Sequence, residues 1–161
     1  MDGKACMKKG MMMAALALMA CTGVQEEQDH TEPMDQETET AVMNIRIGET
    51  PAEVIWEDNE AVKELCAAVQ EGPLTVHLSM YGGFEQVGPL GFGLPRDDVR
   101  ITAMPGDLVL YQGNQIVVFY GSNTWEYTRL GHIADKSEEE LEQLLGNGDT
   151  DIVLYPEGDE S

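Results

Sequence analysis

"DLVLYQGNQIVVFYG", Asp107 to Gly121, decides how this chain folds. Two runs rich in β-branched and aromatic residues, Leu108–Tyr111 and Gln115–Tyr120, flank Gln-Gly-Asn. A tight turn between two such runs predicts an antiparallel hairpin. The same pattern repeats on both sides. "VRITAM" precedes the hairpin, and "EYTRLGHI" follows it, with Gly131 marking a bulge or a close backbone contact. "LTVHLSM" alternates, placing Leu74, Val76, Leu78 and Met80 on one face and Thr75, His77 and Ser79 on the other. "VMNIRI" and "AEVIW" are separated by the turn signal "GETP" and predict a second hairpin. "DIVLY" is the last strand.

Two segments carry helical spacing instead. In "EDNEAVKELCAAVQEGP", Val62, Leu65, Cys66 and Val69 fall at i, i+3, i+4 and i+7, Asp58 can cap the start, and Gly72 with Pro73 stops it. In "SEEELEQLLGNG", Ser137 and Glu140 form a capping box and Gly146 ends the helix. About eight short strands and two short helices, without βαβ alternation, predict a mainly all-β fold, an antiparallel barrel with helices packed on it.

The first forty residues belong to something else. Lys8 and Lys9 precede an apolar run, Gly10 to Ala20, which is shorter than the roughly 20 residues a membrane span needs. It reads as a secretory leader. "LMAC", Leu18 to Cys21, resembles a bacterial lipobox, which implies cleavage before Cys21 and lipidation of Cys21. Residues 1–20 are then a lipoprotein signal peptide. Residues 21–41 are an acidic disordered tether with almost nothing apolar to bury. Residues 42–155 are the folded domain, and 156–161 an acidic tail. The expected location is the cell envelope, and the outer membrane where a cell has two, because Thr22 rather than Asp follows the cysteine. Within the folded domain Cys66 is the sole cysteine and is expected as a small buried thiol, so a mature chain has no disulfide of its own.

Charge narrows the partners. The chain carries 9 Lys and Arg against 30 Asp and Glu, a formal net charge of −21. Such a surface repels phosphate backbones, so nucleic acid is not an expected partner. No cofactor or metal is called for: nucleotide-binding loops, zinc spacings and calcium loops are all missing from the sequence. His77 and His132 lack sequence neighbours that would make a catalytic set.

The hairpin "DLVLYQGNQIVVFYG" with "YTRLGHI", together with "WEDNEAVKEL", "GPLTVHLSMYGGFEQVGPLG" and "LPRDD", resembles the cyclophilin-like domains of bacteria. The resemblance runs from Met43 to Ile133. It implies a closed eight-stranded barrel with a binding groove on its side. In the prolyl isomerases of the wider group, an arginine on a groove strand polarises the prolyl amide beside a Gln and an aromatic pocket. Here "GNQIVVFYG" offers Gln115 and Phe119 for the Gln and aromatic positions. The strand expected to carry the arginine has none, leaving Arg96 and Arg129 as the substitutes to consider. An aromatic pocket can be drawn from Tyr81, Phe84, Phe92, Tyr111 and Trp125, with Glu85 and Gln86 as polar members, and the aromatics and Asn of "YGSNTWEYTR" offer a small binding lip. The resemblance therefore implies a lipid-anchored module that binds a peptide or small molecule, with no catalytic residue assigned. The alternatives are an extracytoplasmic peptidyl-prolyl isomerase and a protein-docking module.

Overall fold

The computed structural model describes residues 43–159, so the leader, Cys21 and the acidic tether lie outside the described residues. In chain order the elements are β1 (Met43–Ile47), β2 (Thr50–Ala52), β3 (Val54–Trp56), α1 (Glu60–Gln70), β4 (Leu74–Tyr81), β5 (Glu85–Pro89), β6 (Val99–Ala103), β7 (Asp107–Tyr111), β8 (Gln115–Phe119), β9 (Asn123–Ile133), α2 (Glu138–Leu145) and β10 (Thr150–Pro156). All strand pairings are antiparallel, and nine strands follow the order β2-β1-β10-β4-β5-β8-β7-β9-β3, while β6 pairs with β9 outside that path. The two ends of the path, β2 and β3, are separated in the chain by Glu53 alone. The Glu53 amide donates to Asp135 Oδ1 at 2.9 Å, and its carbonyl accepts from the Ala134 amide at 2.8 Å. The result is a nearly closed antiparallel barrel.

Ten strands stand where about eight were expected. The expected strand "AEVIW" is broken at Glu53: its Ala52 stays with β1, while Val54–Trp56 crosses to β9. Helix α1 is capped by Asn59 rather than Asp58. The Asn59 side-chain oxygen accepts from the Val62 amide at 2.9 Å, and its Nδ2 donates to the Arg129 carbonyl at 2.8 Å. A residue that caps the helix and also ties it to β9 is favoured over one that could only cap. The capping box of α2 is present, with Ser137 and Glu140 bonded reciprocally. Gly131 serves both roles anticipated for it. The β7–β9 register slips beside it, and a Cβ there would stand 2.7 Å from the Ile55 carbonyl oxygen.

Inward-facing residues alternate along the strands and fill the barrel: Ile45, Leu78, Leu108, Leu110, Ile116 and Leu154 are all fully buried. Leu65 and Val69 of α1 and Leu141 and Leu145 of α2 join the same cluster. Each such side chain is worth about 1.5–3 kcal/mol on burial. The interior is thus packed side chains, which leaves the outer wall for ligands. Cys66 is also fully buried in this core.

A second apolar cluster lies outside the barrel. Val109, Val117 and Phe119, the outward residues of β7 and β8, pack against Tyr127 of β9 and Ala103 of β6. The chain explains why. Three residues separate the end of β8 from the start of β9, whereas only the second half of β9 pairs with β7. So short a link cannot carry the chain past the far end of the barrel at about 3.3 Å per residue. The first half of β9, paired with β6, therefore folds back across the outer face of β7 and β8 as a two-stranded flap.

Candidate functional site

Two hairpins and the flap build one groove. The β4–β5 hairpin turns through a three-residue loop, Gly82 to Phe84, whose two glycines sit at positive φ (63° and 74°) where other residues would be strained. That turn sets Tyr81 directly opposite Glu85. The β7–β8 hairpin turns through Gln112 (φ 52°) and Gly113 (φ 77°) and sets Tyr111 opposite Gln115. The flap supplies Asn123, Trp125 and Tyr127. These residues, with Val87 and Val117, line an open groove of about 430 Å³, a size that suits a small ligand.

Aromatic walls dominate it. Tyr127 meets Tyr111 at 6.1 Å between ring centroids and Phe119 at 5.7 Å, both edge to face, and its hydroxyl accepts from Asn123 Nδ2 at 3.0 Å. Trp125 and Tyr81 stand 52% and 66% exposed, which makes them rim residues rather than core.

Glu85 is the chemical exception. Only 7% exposed, it has an Oε2 without a hydrogen-bond partner among the described residues. Burial pushes its carboxyl up to about 7. Burial, and after it the Glu85 charge, raises the Tyr127 hydroxyl as well. Among the described residues no Lys, Arg or His lines the groove.

Of the pocket residues anticipated from sequence, Tyr81, Glu85, Tyr111, Gln115 and Trp125 line this groove. The others lie elsewhere. Phe119 is fully buried in the outer cluster, beneath the groove. Phe84 is half-buried, with its ring over Gly82 and its carbonyl accepting from the Tyr120 and Gly121 amides. Gln86 points the opposite way from Glu85, as the next residue of a strand must. It is fully buried, and its Nε2 donates to the Leu145 and Gly148 carbonyls at 2.6 and 2.7 Å, so it fastens the end of α2 instead of meeting a ligand. Arg96 donates through Nε to Asp98 Oδ2 at 2.8 Å and lies against the Gly113 turn, in a separate shallow hollow with Phe92. Arg129 reaches Asp107 Oδ2 at 3.4 Å, on the outer face of β9. Neither arginine enters the groove.

Val87 and Val117 were missed, whereas Asn123 and Tyr127 belong to the stretch "YGSNTWEYTR" read as a binding lip. Period-two alternation was the available signal for the first two, because Val87 follows Glu85 and Val117 follows Gln115 on the same face. The fold also gives both strand histidines acidic partners distant in sequence: His77 with Asp151 at 2.5 Å and His132 with Asp107 at 2.8 Å. Asp107 also accepts from the Met104 amide, so its carboxylate braces the turn before β7. Among the described residues no group of three or more His, Cys, Asp or Glu is placed to hold a metal ion.

No curated protein and no solved structure matches this chain. A family model does: that of the cyclophilin-like family, over residues 45–155, which takes in nearly all of the barrel and every residue of the groove. The chain belongs to the cyclophilin-like family.

Proposed function

We propose that this protein is a lipid-anchored binding module of the cell envelope, whose side groove takes a peptide or small molecule without efficient prolyl isomerisation. One observation carries the reading: among the described residues the groove has aromatic walls and a buried carboxyl without a partner, but no cationic side chain lines it. Twisting a prolyl amide costs its resonance, an uncatalysed barrier of about 18–20 kcal/mol. A cation aimed at the twisted amide lowers that barrier by acting where charge develops. Aromatic walls hold planar and twisted forms alike, and such uniform binding gives affinity without rate. A coupled proline-peptide assay on the purified protein tests this, with Arg96→Ala and Arg129→Ala alongside. Turnover near that of an ordinary isomerase, abolished by either substitution, refutes it. Docking of another envelope protein is a second reading, favoured by the exposed Tyr81 and Trp125 at the groove rim.

The anchor rests on the leader and "LMAC". Cys21→Ser is expected to leave unacylated precursor. Mass spectrometry under non-reducing conditions decides, since a diacylglyceryl thioether at Cys21 excludes a disulfide from Cys21 to Cys66. An unmodified Cys21 in the membrane fraction overturns the anchor.

A further inference from the structure

Resting on the reading of the groove as a binding site, we propose that its ligand is a small organic cation, an ammonium head group of about choline size, caged by Tyr81, Tyr111, Trp125 and Tyr127 and paired with the Glu85 carboxylate. Four rings from three strands converge on one space. Tyr111 and Tyr127 meet at 63°, as adjoining walls of a cage do, rather than stacking. Ring faces attract a cation within about 6 Å of the centroid, most strongly where water is thinned out. Glu85 supplies the formal charge that rings alone lack.

Other ligand chemistries fit less well. An anion would face Glu85 and a chain of formal charge −21, with no Lys, Arg or His among the described lining residues to receive it. A neutral amide would leave the buried carboxyl without the counter-charge it lacks, and a buried carboxylate without a partner is costly. An alkylammonium ion meets both the aromatic walls and the missing partner. The acidic surface also concentrates cations near the groove.

The titratable groups facing Glu85 are Tyr81 of β4, Tyr111 of β7, Tyr127 of β9 and, beside β8, Tyr120, whose hydroxyl is raised chiefly by burial. A bound cation favours the ionised form of Glu85, so binding releases a proton wherever the free groove holds that carboxyl protonated. With the free carboxyl at about 7, the ionised fraction rises roughly tenfold from pH 6 to pH 8. Affinity is expected to rise by the same factor.

The test is titration of the full chain with choline chloride and with 3,3-dimethylbutan-1-ol, its uncharged carbon isostere, followed by calorimetry and by fluorescence. Trp125 on the rim is the responsive fluorophore, since Trp56 is buried. Choline is expected to bind at least about tenfold more tightly than the alcohol at pH 8 and to weaken about tenfold at pH 6. Glu85→Gln keeps the shape and is expected to abolish both the preference and the pH dependence. Equal binding of the two probes to the wild-type protein overturns the proposal without needing the variant. So does a preference that survives Glu85→Gln. A groove that ignores choline but saturates with a proline peptide overturns the cation and leaves the binding site standing. No saturable response to any of these probes refutes both.

Discussion

Glu85→Gln is also expected to stabilise the free protein at neutral and alkaline pH, and the size of the effect follows from the site. The carboxyl rises from an ordinary 4.5 to about 7 because burial disfavours its charged form. A group whose value is raised on folding favours the fold while protonated. That contribution is complete below about pH 4.5, is lost as pH climbs through 7, and is absent above it. The span corresponds to about 3 kcal/mol. Gln carries no charge at any pH and nearly the same shape, so it escapes the loss. Urea unfolding of both proteins at pH 5 and pH 8 isolates Glu85, because every other titrating group is common to the pair and cancels. The difference in stability is expected to move toward the variant by about 2.5 kcal/mol between the two conditions, since the unfolded carboxyl is already mostly ionised at pH 5, or about 10 °C in Tm for a domain of this size. Parallel pH profiles would refute the argument, since they would mean that the carboxyl is solvated or paired in the folded state.

Gln86→Leu is expected to cost about 2 kcal/mol in urea unfolding, because the Leu145 and Gly148 carbonyls lose their shared donor where α2 ends. Gly88→Ala is expected to disrupt the β4–β5 pairing, visible as lost amide protection in β5, because a Cβ there would stand 2.3 Å from the His77 carbonyl oxygen. Asn59→Ala removes both the cap of α1 and the tie to Arg129, an expected loss of about 1–2 kcal/mol by thermal unfolding.

The barrel was legible because its signals are local. Apolar alternation marked β4, the Gln-Gly-Asn turn marked the β7–β8 hairpin, and the Ser137–Glu140 pair marked the start of α2. The break at Glu53 carries no local signal. "AEVIW" reads as one strand, and it divides because the sheet must close: the chain leaves β1 after Ala52 and begins pairing with β9 at Val54. Asn59 took the cap from Asp58 for a similar reason, since its second bond reaches a carbonyl seventy residues away.

The groove was half legible, and the division follows strand parity and the path of β9. Glu85 and Gln86 look alike in sequence as the two polar residues after "YGGF". Once the turn at Gly82 and Gly83 fixes the register, one must face out and the other in, and a slip of one residue would exchange them. The inward residue found two carbonyls at the end of α2; the outward one found aromatic rings and no donor. Asn123 and Tyr127 read in sequence only as a lip beside a turn; β9 continues beyond β7 and folds back, which makes that lip a wall of the groove. Arg129 lies just past that fold, where β9 has returned to the barrel, and is held by Asp107. The flap thus brings Trp125 and Tyr127 to the groove and leaves the arginine two residues away outside it. The same bend that completes the aromatic wall denies it a cation, and that leaves the negative charge of Glu85 for a ligand to answer.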